Sequence, residues 1–170
     1  MKPIAVLVGP PGAGKTTVGA LLAERLGVRF RDVDHDIELT AGKPVSDIFV
    51  DDGEDAFREL EAAAIAAALE SHAGVLALGG GAVLSPATRA ALVGHQVVYL
   101  KVGLADAVHR VGLNTARPLL AMNPRATLRT LLAQRAPLYD EVAVVTVETD
   151  GRKPAEVTAD VLAQLASAST

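Results

Sequence analysis

The sequence predicts a three-layer α/β fold with a parallel sheet, and three observations support that prediction. Short apolar runs alternate with helical patterns along the whole chain. The apolar runs are continuous rather than alternating, which is typical of parallel strands covered by helices on both faces. The chain has 170 residues, of which 50% are hydrophobic and 3% aromatic. That length fits one domain, with a core built mainly from alanine, valine, leucine and isoleucine.

The first half of the chain begins with a predicted strand and an amphipathic helix. An apolar run over residues 4–8 ends at Gly9, and apolar residues then recur at helical spacing over Lys15–Leu26. Gly27 follows directly, and glycine is common just after a helix. The other elements predicted here are a second strand over 28–33, Asp-rich and Gly-rich turns, a long helix over about 54–71 and a third strand over 75–78.

The second half of the chain continues the same alternation. Ser85 and Pro86 predict a helix start, because serine suits the N-cap and proline the first turn. No internal repeat or low-complexity linker interrupts the pattern, so a single domain over 1–170 is expected. The remaining predicted elements are a fourth strand over 96–102, a helix near 105–111, a loop, a helix near 125–136, a fifth strand over 142–148 and a last helix from about Pro154.

Composition excludes several classes of protein. The chain has no cysteine, which excludes a disulfide scaffold, a cysteine zinc site and a cysteine nucleophile, and fits a reducing cytoplasm. Lys and Arg number 16 against 20 Asp and Glu, whereas proteins that bind nucleic acid non-specifically usually carry a basic excess. No apolar run reaches the roughly 18 residues of a membrane helix, and no signal-peptide pattern opens the chain. We therefore expect a cytoplasmic monomer with no nucleic-acid or membrane partner.

A glycine-rich segment lies between the first predicted strand and the first predicted helix. Residues 9–16, GPPGAGKT, match the phosphate-loop pattern G-x-x-x-x-G-K-[ST] in the context that it requires. In such a loop backbone N–H groups surround phosphates, the lysine reaches the β- and γ-phosphates, and the hydroxyl ligates Mg²⁺. The alternative is a glycine-rich turn that merely precedes a helix. The residues predicted to bind the nucleotide here are Gly12, Ala13, Gly14, Lys15, Thr16 and Thr17.

The rest of the sequence favours ATP as the nucleotide. The D-x-x-G and N-K-x-D strings expected of a GTPase occur nowhere in the chain. We therefore predict ATP as a substrate, with Mg²⁺ as its cofactor.

Two acids follow the second predicted strand, where a magnesium ligand is expected. The third strand ends in Leu78 and Gly79 without an acid, so Asp32 and Asp34 are the substitute. Carboxyl ends of parallel strands share one crevice, and strand alternation would place both acids on the same side. One could serve the metal and the other an acceptor hydroxyl. The alternative is that they cap the following helix, and His35 beside them is more typical of a solvated residue than of a metal ligand.

Two arginines continue apolar stripes on predicted helices. Arg58 shares a stripe with Ile65 and Leu69, and Arg135 lies on the face set by the leucines before it. Two inward guanidinium groups favour an anionic substrate such as a carboxylate. The alternatives are a surface ion pair for Arg58 and a helix C-terminal cation for Arg135.

Two loops carry further candidate residues. Gly79, Gly80 and Gly81 suit a close approach of a ligand to the backbone, or else a flexible turn. The segment 112–118 is rich in turn-forming residues, and is either a mobile lid that brings Arg117 onto the phosphates or an ordinary surface loop.

Together these motifs resemble shikimate kinase, in order and spacing, from about Val6 to Pro154. The motifs that carry the resemblance are the phosphate loop, Asp32-x-Asp34, Phe57-Arg58, Gly79-Gly80-Gly81, Arg117-Pro118-Leu119-Leu120 and Arg135-x-Pro137-x-Tyr139. The resemblance implies phosphorylation of the 3-hydroxyl of shikimate by ATP, in the pathway to chorismate and the aromatic amino acids. It also implies the nucleoside monophosphate kinase fold, a five-stranded parallel sheet in the order 2-3-1-4-5. The implied organisation is a core over about 1–33, 72–111 and 137–170, a substrate-binding segment over about 34–71 and a lid over about 112–124.

The resemblance also assigns roles to residues. It implies that Asp34 orients and deprotonates the acceptor hydroxyl and that Glu61 steadies Arg58. Arg58, Arg135 and the glycine triplet would bind shikimate, with Lys15 and Arg117 on the transferring phosphate. Thr16 and Asp32 would serve Mg²⁺, while Arg110, Arg152 and Pro154 would flank adenine.

The chain departs from the family pattern at two places. His35 stands where a small hydroxyl residue is common, and Glu148 replaces an aspartate before the adenine loop. Two other functions remain open: a gluconate, other metabolite or nucleotide kinase of this fold, and a non-catalytic nucleotide-binding switch.

Overall fold

A five-stranded parallel sheet forms the centre of the computed structural model, which describes residues 2–111 and 124–168. Its strand order is β2-β3-β1-β4-β5, with every neighbouring pair parallel. The predicted fold class and strand order are therefore confirmed. The strands are β1 (Ala5–Val8), β2 (Phe30–Asp32), β3 (Val75–Ala77), β4 (Val97–Lys101) and β5 (Val145–Glu148).

Helices cover both faces of this sheet. Alternate side chains of β1 point to opposite faces, with Ala5 and Leu7 on one and Val6 and Val8 on the other. The first face packs against helices α1, α6, α7 and α8, and the second against α2, α3, α4 and α7. Within the described ranges the helices are α1 (Lys15–Leu26), α2 (Val33–Ala41), α3 (Val45–Asp52), α4 (Glu54–Ser71), a 3₁₀ turn (Ala82–Leu84), α5 (Pro86–Ala91), α6 (Leu104–Val111), α7 (Pro124–Val142) and α8 (Pro154–Ala168).

The segment after β2 differs from the sequence prediction. Turns were expected between residues 34 and 53, yet α2 and α3 occupy most of that stretch. Strand β2 ends at Asp32, and Asp34 lies in the first turn of α2. The strand alternation expected to place the two acids on one side therefore does not apply. Their proximity comes from the helix start instead.

Helix α7 is longer than predicted because it continues through Pro137. A break was expected before this proline, but the helix runs on to Val142 and β5 begins only at Val145. Proline removes one helical hydrogen bond and strains the preceding turn. Two residues later Tyr139 is 1% exposed, and burial of such a large aromatic ring opposes that cost.

Within residues 2–111 and 124–168, every helix is too short or too polar to span a lipid bilayer.

Candidate active site

Three neighbouring strands end beside one another and bring the predicted motifs together. In the sheet, Asp32 of β2 is in register with Ala77 of β3, which pairs with Leu7 of β1. The chain segments that follow these strands are the first turn of α2, the glycine triplet and the phosphate loop. Because carboxyl ends of parallel strands share one edge, the three segments form a single crevice.

The phosphate loop has the backbone conformation that its glycines permit. Gly9, Gly12 and Gly14 have φ values of 154°, 83° and 90°. A side chain at Gly9 would place its Cβ 2.6 Å from the carbonyl oxygen of Leu100, so only glycine fits without movement. Lys15 begins α1 and donates from Nζ to the carbonyl oxygens of Gly9 and Pro10, at 2.6 and 3.2 Å. The loop thus directs a helix N-terminus and an ammonium group to one place, which suits phosphate.

Asp32 caps the following helix, which was one of the two roles considered for it, and it also contacts Thr16. Its Oδ1 accepts a hydrogen bond of 2.9 Å from the Asp34 N–H and caps α2. Its Oδ2 accepts one of 3.2 Å from the Thr16 hydroxyl. A hydroxyl and a carboxylate oxygen side by side fit Mg²⁺, which takes one or two protein ligands together with substrate phosphates. In the described ranges no group of three His, Cys, Asp or Glu residues is placed to hold a metal by itself.

The carboxylates of Asp34 and Glu61 both lie against Gly79. A Cβ on Gly79 would be 2.7 and 2.9 Å from the Asp34 carboxylate oxygens and 2.8 Å from Oε2 of Glu61. Glycine at this position therefore allows two carboxylates to approach the same stretch of backbone. A Cβ on Gly80 would be 3.0 Å from Cδ of Pro11, so the triplet also packs closely against the phosphate loop.

Arg58 lies over the last glycine of the triplet. Its Nη1 donates to Oε1 of Glu61 at 2.9 Å, and its Nη2 donates to Glu54 at 3.4 Å. The guanidinium carbon is 5.3 Å from the ring centre of Phe57 and 5.8 Å from that of Phe49, within the range of cation–π attraction. A Cβ on Gly81 would come 2.3 Å from Nη2. An ion pair was the alternative interpretation of Arg58 in the sequence, and the structure contains it. This ion pair holds the Arg58 guanidinium inside the crevice.

Glu61 is a buried acid in this cluster. It is 2% exposed, and its Oε2 has no hydrogen-bond partner among the described residues. Burial raises the pKa of Glu61, while the charge and hydrogen bond of Arg58 oppose that increase. The charges of Asp34 and Arg135 also act on the Glu61 pKa, in opposite directions. Two acids and two guanidinium groups are therefore electrostatic neighbours here.

Arg135 is a buried cation on α7. It is 4% exposed, and within residues 2–111 and 124–168 its Nε has no hydrogen-bond partner. Tyr139, one turn later on α7, is buried beside it. Burial raises the pKa of the Tyr139 hydroxyl, and Arg135 lowers it. A buried guanidinium with donor capacity left over suits an anionic ligand.

A separate pocket of about 190 Å³ lies on the other side of the phosphate loop. Arg110 donates to the carbonyl oxygens of Gly12 and Thr149, both at 2.9 Å, which fixes it at the wall. Arg152 donates to the Glu148 carbonyl oxygen at 2.9 Å. The residues lining the pocket are Ala13, Gly14, Thr17, Val18, Arg110, Thr149, Arg152, Pro154 and Val157.

The structure thus places most of the predicted residues in two adjoining regions. Asp34, Arg58, Arg135 and the glycine triplet line the crevice, and Arg110, Arg152 and Pro154 line the pocket. His35 is exposed. Arg117 and the predicted lid up to residue 123 lie outside the described residues.

Sequence reasoning missed two contributors, Phe49 and Thr149. Phe49 lies on α3, which was taken for a turn. Thr149 is 2% exposed and accepts from Arg110 at 3.2 Å. A lone threonine after a strand carries no signal of that contact in the sequence.

Comparisons with known proteins agree with this geometry. A family model described as shikimate kinase matches residues 11–166. The shikimate kinase of Salinispora arenicola is 65% identical over 167 residues, covering 98% of this chain and 100% of that protein. The structure of shikimate kinase from Acinetobacter baumannii in complex with shikimate has a TM-score of 0.94 at 40% identity, over 98% of this chain and 94% of the other. A gluconokinase from Sinorhizobium meliloti is less similar, with a TM-score of 0.65 at 25% identity over 96% and 91% of the two chains.

The matched region includes almost all of the phosphate loop and every other motif of the crevice and the pocket. Both the family model and the S. arenicola relative extend over nearly the whole chain. The chain therefore belongs to the shikimate kinase family.

Proposed function

We propose that this chain transfers the γ-phosphoryl group of ATP to the 3-hydroxyl of shikimate, giving shikimate 3-phosphate and ADP. One observation carries the proposal above all: the half-buried Arg58 lies against Gly81, the buried Arg135 neighbours Glu61, and the Asp34 carboxylate lies against Gly79. A small ring that carries a carboxylate and a hydroxyl would match this crevice, because the carboxylate could bind the two arginines while the hydroxyl binds Asp34. The A. baumannii relative, described as a complex with shikimate, supports that choice of acceptor.

The carboxylate of the acceptor is assigned to the two arginines. In the part of the chain that the structure describes, the Nε atoms of both arginines have no hydrogen-bond partner, and the planar fork of arginine matches the geometry of a carboxylate. Gly79, Gly80 and Gly81 let the ring approach the backbone. Glu61 holds Arg58 in place through its 2.9 Å ion pair.

The acceptor hydroxyl is assigned to Asp34. Its carboxylate lies against Gly79 of the triplet, where it orients the hydroxyl and accepts its proton during transfer. Phosphoryl transfer depends on positioning and charge neutralisation more than on covalent chemistry by the protein. The main work of the crevice is to hold the hydroxyl in line with the γ-phosphate.

The nucleotide is assigned to the phosphate loop and the adjoining pocket. Lys15 and the amides of 12–17 bind the phosphates, and the base lies in the pocket between Arg110, Arg152 and Pro154. Thr16 and Asp32 would hold Mg²⁺, which neutralises charge on the β- and γ-phosphates when bound. The sequence resemblance supports Arg117 as a contact to the transferring phosphate from a lid over about 112–124, closing on a substrate-binding segment over about 34–71. A monomer is the proposed functional unit.

The test is ADP release with a panel of acceptors. Shikimate, gluconate and nucleoside monophosphates are compared at saturating Mg²⁺ and ATP, and turnover with shikimate alone is expected. Release that depends on gluconate or a nucleotide instead would assign another kinase function. ATP binding without any acceptor-dependent release would indicate a nucleotide-binding switch.

A pair of variants tests the assignment of Asp34 within the same assay. Asp34→Asn is expected to lose at least about 100-fold in kcat while its Kd for ATP stays within twofold. Asp36→Asn changes a neighbouring acid that pairs with Arg31 outside the crevice, and it should retain activity. Turnover that survives in Asp34→Asn would remove Asp34 from the mechanism.

A further inference from the structure

A buried tyrosine side chain forms a hydrogen bond to the carbonyl group of Gly80, the middle glycine of the triplet. The Tyr139 hydroxyl donates a hydrogen bond of 2.5 Å to the carbonyl oxygen of Gly80. Tyr139 is 1% exposed, and its ring packs against Tyr99 with centroids 5.0 Å apart. The hydroxyl therefore has little freedom to turn elsewhere, and the carbonyl is fixed by a rigid partner.

This contact also fixes the direction of the next amide. The peptide between Gly80 and Gly81 is trans, so its C=O and N–H point in opposite directions. With the carbonyl held by Tyr139, the Gly81 N–H points away from that ring. In the described part of the chain the N–H groups of Gly80 and Gly81 donate no hydrogen bond to a backbone carbonyl. Gly81 itself lies against the Arg58 guanidinium.

Helix α7 connects this contact to the second arginine. Arg135 and Tyr139 are four residues apart and lie on the same helix face. Arg135 lowers the pKa of the Tyr139 hydroxyl through its charge and through a side-chain hydrogen bond. One face of α7 therefore supplies a buried cation to the crevice and a hydrogen-bond donor to the loop that lines it.

We propose that Tyr139 is a positioning residue for acceptor binding: it holds the Gly80 carbonyl so that the following amide faces the acceptor carboxylate between Arg58 and Arg135. The proposal rests on the proposed function, since it takes the acceptor to be the carboxylate-bearing substrate. Glycines on both sides leave this peptide free to rotate unless it is held. Without the hydroxyl, the buried carbonyl would have to turn to find another donor, and the amide would turn with it.

The experiment compares Tyr139→Phe with Tyr99→Phe. Both changes remove one phenolic hydroxyl from the same pair of stacked rings, but the Tyr99 hydroxyl has no hydrogen bond to the triplet. Kd values for shikimate and ATP are measured by calorimetry, with kcat and KM from ADP release. Tyr139→Phe is expected to raise the Kd and KM for shikimate about tenfold, the effect of losing one well-placed hydrogen bond. Its Kd for ATP should stay within twofold, and Tyr99→Phe should change neither Kd beyond that limit.

Three results would overturn the proposal. The first is a Tyr139→Phe enzyme that binds shikimate as tightly as wild type. The second is an equal loss of affinity for shikimate and ATP, because general loosening of the fold would weaken both ligands. The third is a Tyr139→Phe protein that is unfolded at the assay temperature, which would assign the hydroxyl to folding.

Failure of this proposal can be distinguished from failure of the proposed function. If wild type does not phosphorylate shikimate, the function is refuted whatever the variants do. Backbone ¹⁵N order parameters of residues 80 and 81, measured without ligands, still test the hold on the peptide in that case. They should be lower in Tyr139→Phe than in wild type or Tyr99→Phe, and equal values in the three proteins would refute the contact's role.

Discussion

At the scale of single residues, Gly79 is a position where an added methyl group would contact two charged side chains. A Cβ there would lie within 2.9 Å of three carboxylate oxygens, two from Asp34 and one from Glu61. Both acids must move to admit it, because nothing else in the contact can give way. We predict that Gly79→Ala lowers kcat/KM for shikimate at least about tenfold, since small displacements of catalytic groups are costly. The Kd for ATP should remain within twofold, as measured by calorimetry.

Gly94→Ala is the control for this substitution. Gly94 has a φ of 87°, yet a Cβ on it would meet nothing within 4 Å. It precedes β4, at the edge of the sheet opposite the crevice. This variant should lose about 1 kcal/mol of stability through backbone strain and keep its kcat/KM. A Gly79→Ala enzyme with unchanged kcat/KM would show that the crevice does not depend on the close approach of these acids.

The residues of the crevice differ in how far the sequence reveals them. The phosphate loop is local, so its spacing alone predicts its conformation, and the apolar stripes correctly predict that Arg58 and Arg135 face inward. The contact between Tyr139 and Gly80 joins residues 59 positions apart. Periodicity predicts that a tyrosine on α7 is buried, but it carries no information on which carbonyl lies opposite. Such pairings depend on how the helix is set against the sheet.

At the scale of elements, Asp32 joins the start of α2 to the phosphate loop. One carboxylate oxygen caps the helix and the other accepts from Thr16, so substitutions can separate the two roles. Asp32→Asn keeps an oxygen for the cap, whereas Asp32→Ala loses it and should cost about 1 kcal/mol of unfolding free energy. Both variants should need more Mg²⁺ for half-maximal activity. The measurements are urea unfolding and a Mg²⁺ titration of ADP release.

The two substitutions at Asp32 should therefore differ in their effect on stability but agree in their effect on the Mg²⁺ requirement. Asp32→Asn should be close to wild type in stability and impaired in Mg²⁺ dependence, because asparagine caps helices about as well as aspartate. If its Mg²⁺ requirement equals that of wild type, Asp32 serves only the helix and the proposed metal site is wrong.

How well a helix could be predicted depends on how clearly the sequence marks its first and last residues. Helices α1 and α4 begin and end where the sequence predicts, because each is long and periodic and α1 has a glycine just after it. Helices α2 and α3 have nine and eight residues, which is too short for periodicity to outweigh their aspartates and flanking glycines. Proline is disfavoured inside helices, so Pro137 predicts a helix end. Tertiary packing overrides this preference, and α7 continues through Pro137.

At the scale of the whole molecule, the parallel sheet was predictable while its strand order depended on the family resemblance. Alternation of strands and helices requires a parallel sheet. The order β2-β3-β1-β4-β5 depends on which strands pair, and the apolar runs are too alike to specify partners. This order is nevertheless what sets three functional segments side by side at one edge.

The buried acid in that crevice ties the stability of the whole fold to pH. The folded state raises the pKa of Glu61 above its ordinary value of 4.5, mainly through burial. Between those two pKa values the folded protein binds more protons than the unfolded chain, so the free energy of unfolding falls as pH rises. The pKa of His95 is lowered by burial and by Lys2, so its contribution has the opposite sign and is lost as pH falls through 6.5 and below.

Glu61→Gln isolates the contribution of this acid, because His95 is present in every variant and cancels in the comparison. From pH 4.5 upward, the free energy of unfolding of wild type should fall relative to that of Glu61→Gln, as measured by urea unfolding at intervals up to pH 8. Glu54→Gln removes the other acid paired with Arg58, whose side chain is 46% exposed, and water screens that pair. A plot of its free energy of unfolding against pH should therefore run parallel to that of wild type. If the Glu61→Gln curve is also parallel, the folded crevice does not hold a proton on Glu61 within this pH range, and the cost of burying that carboxylate is fully offset by Arg58.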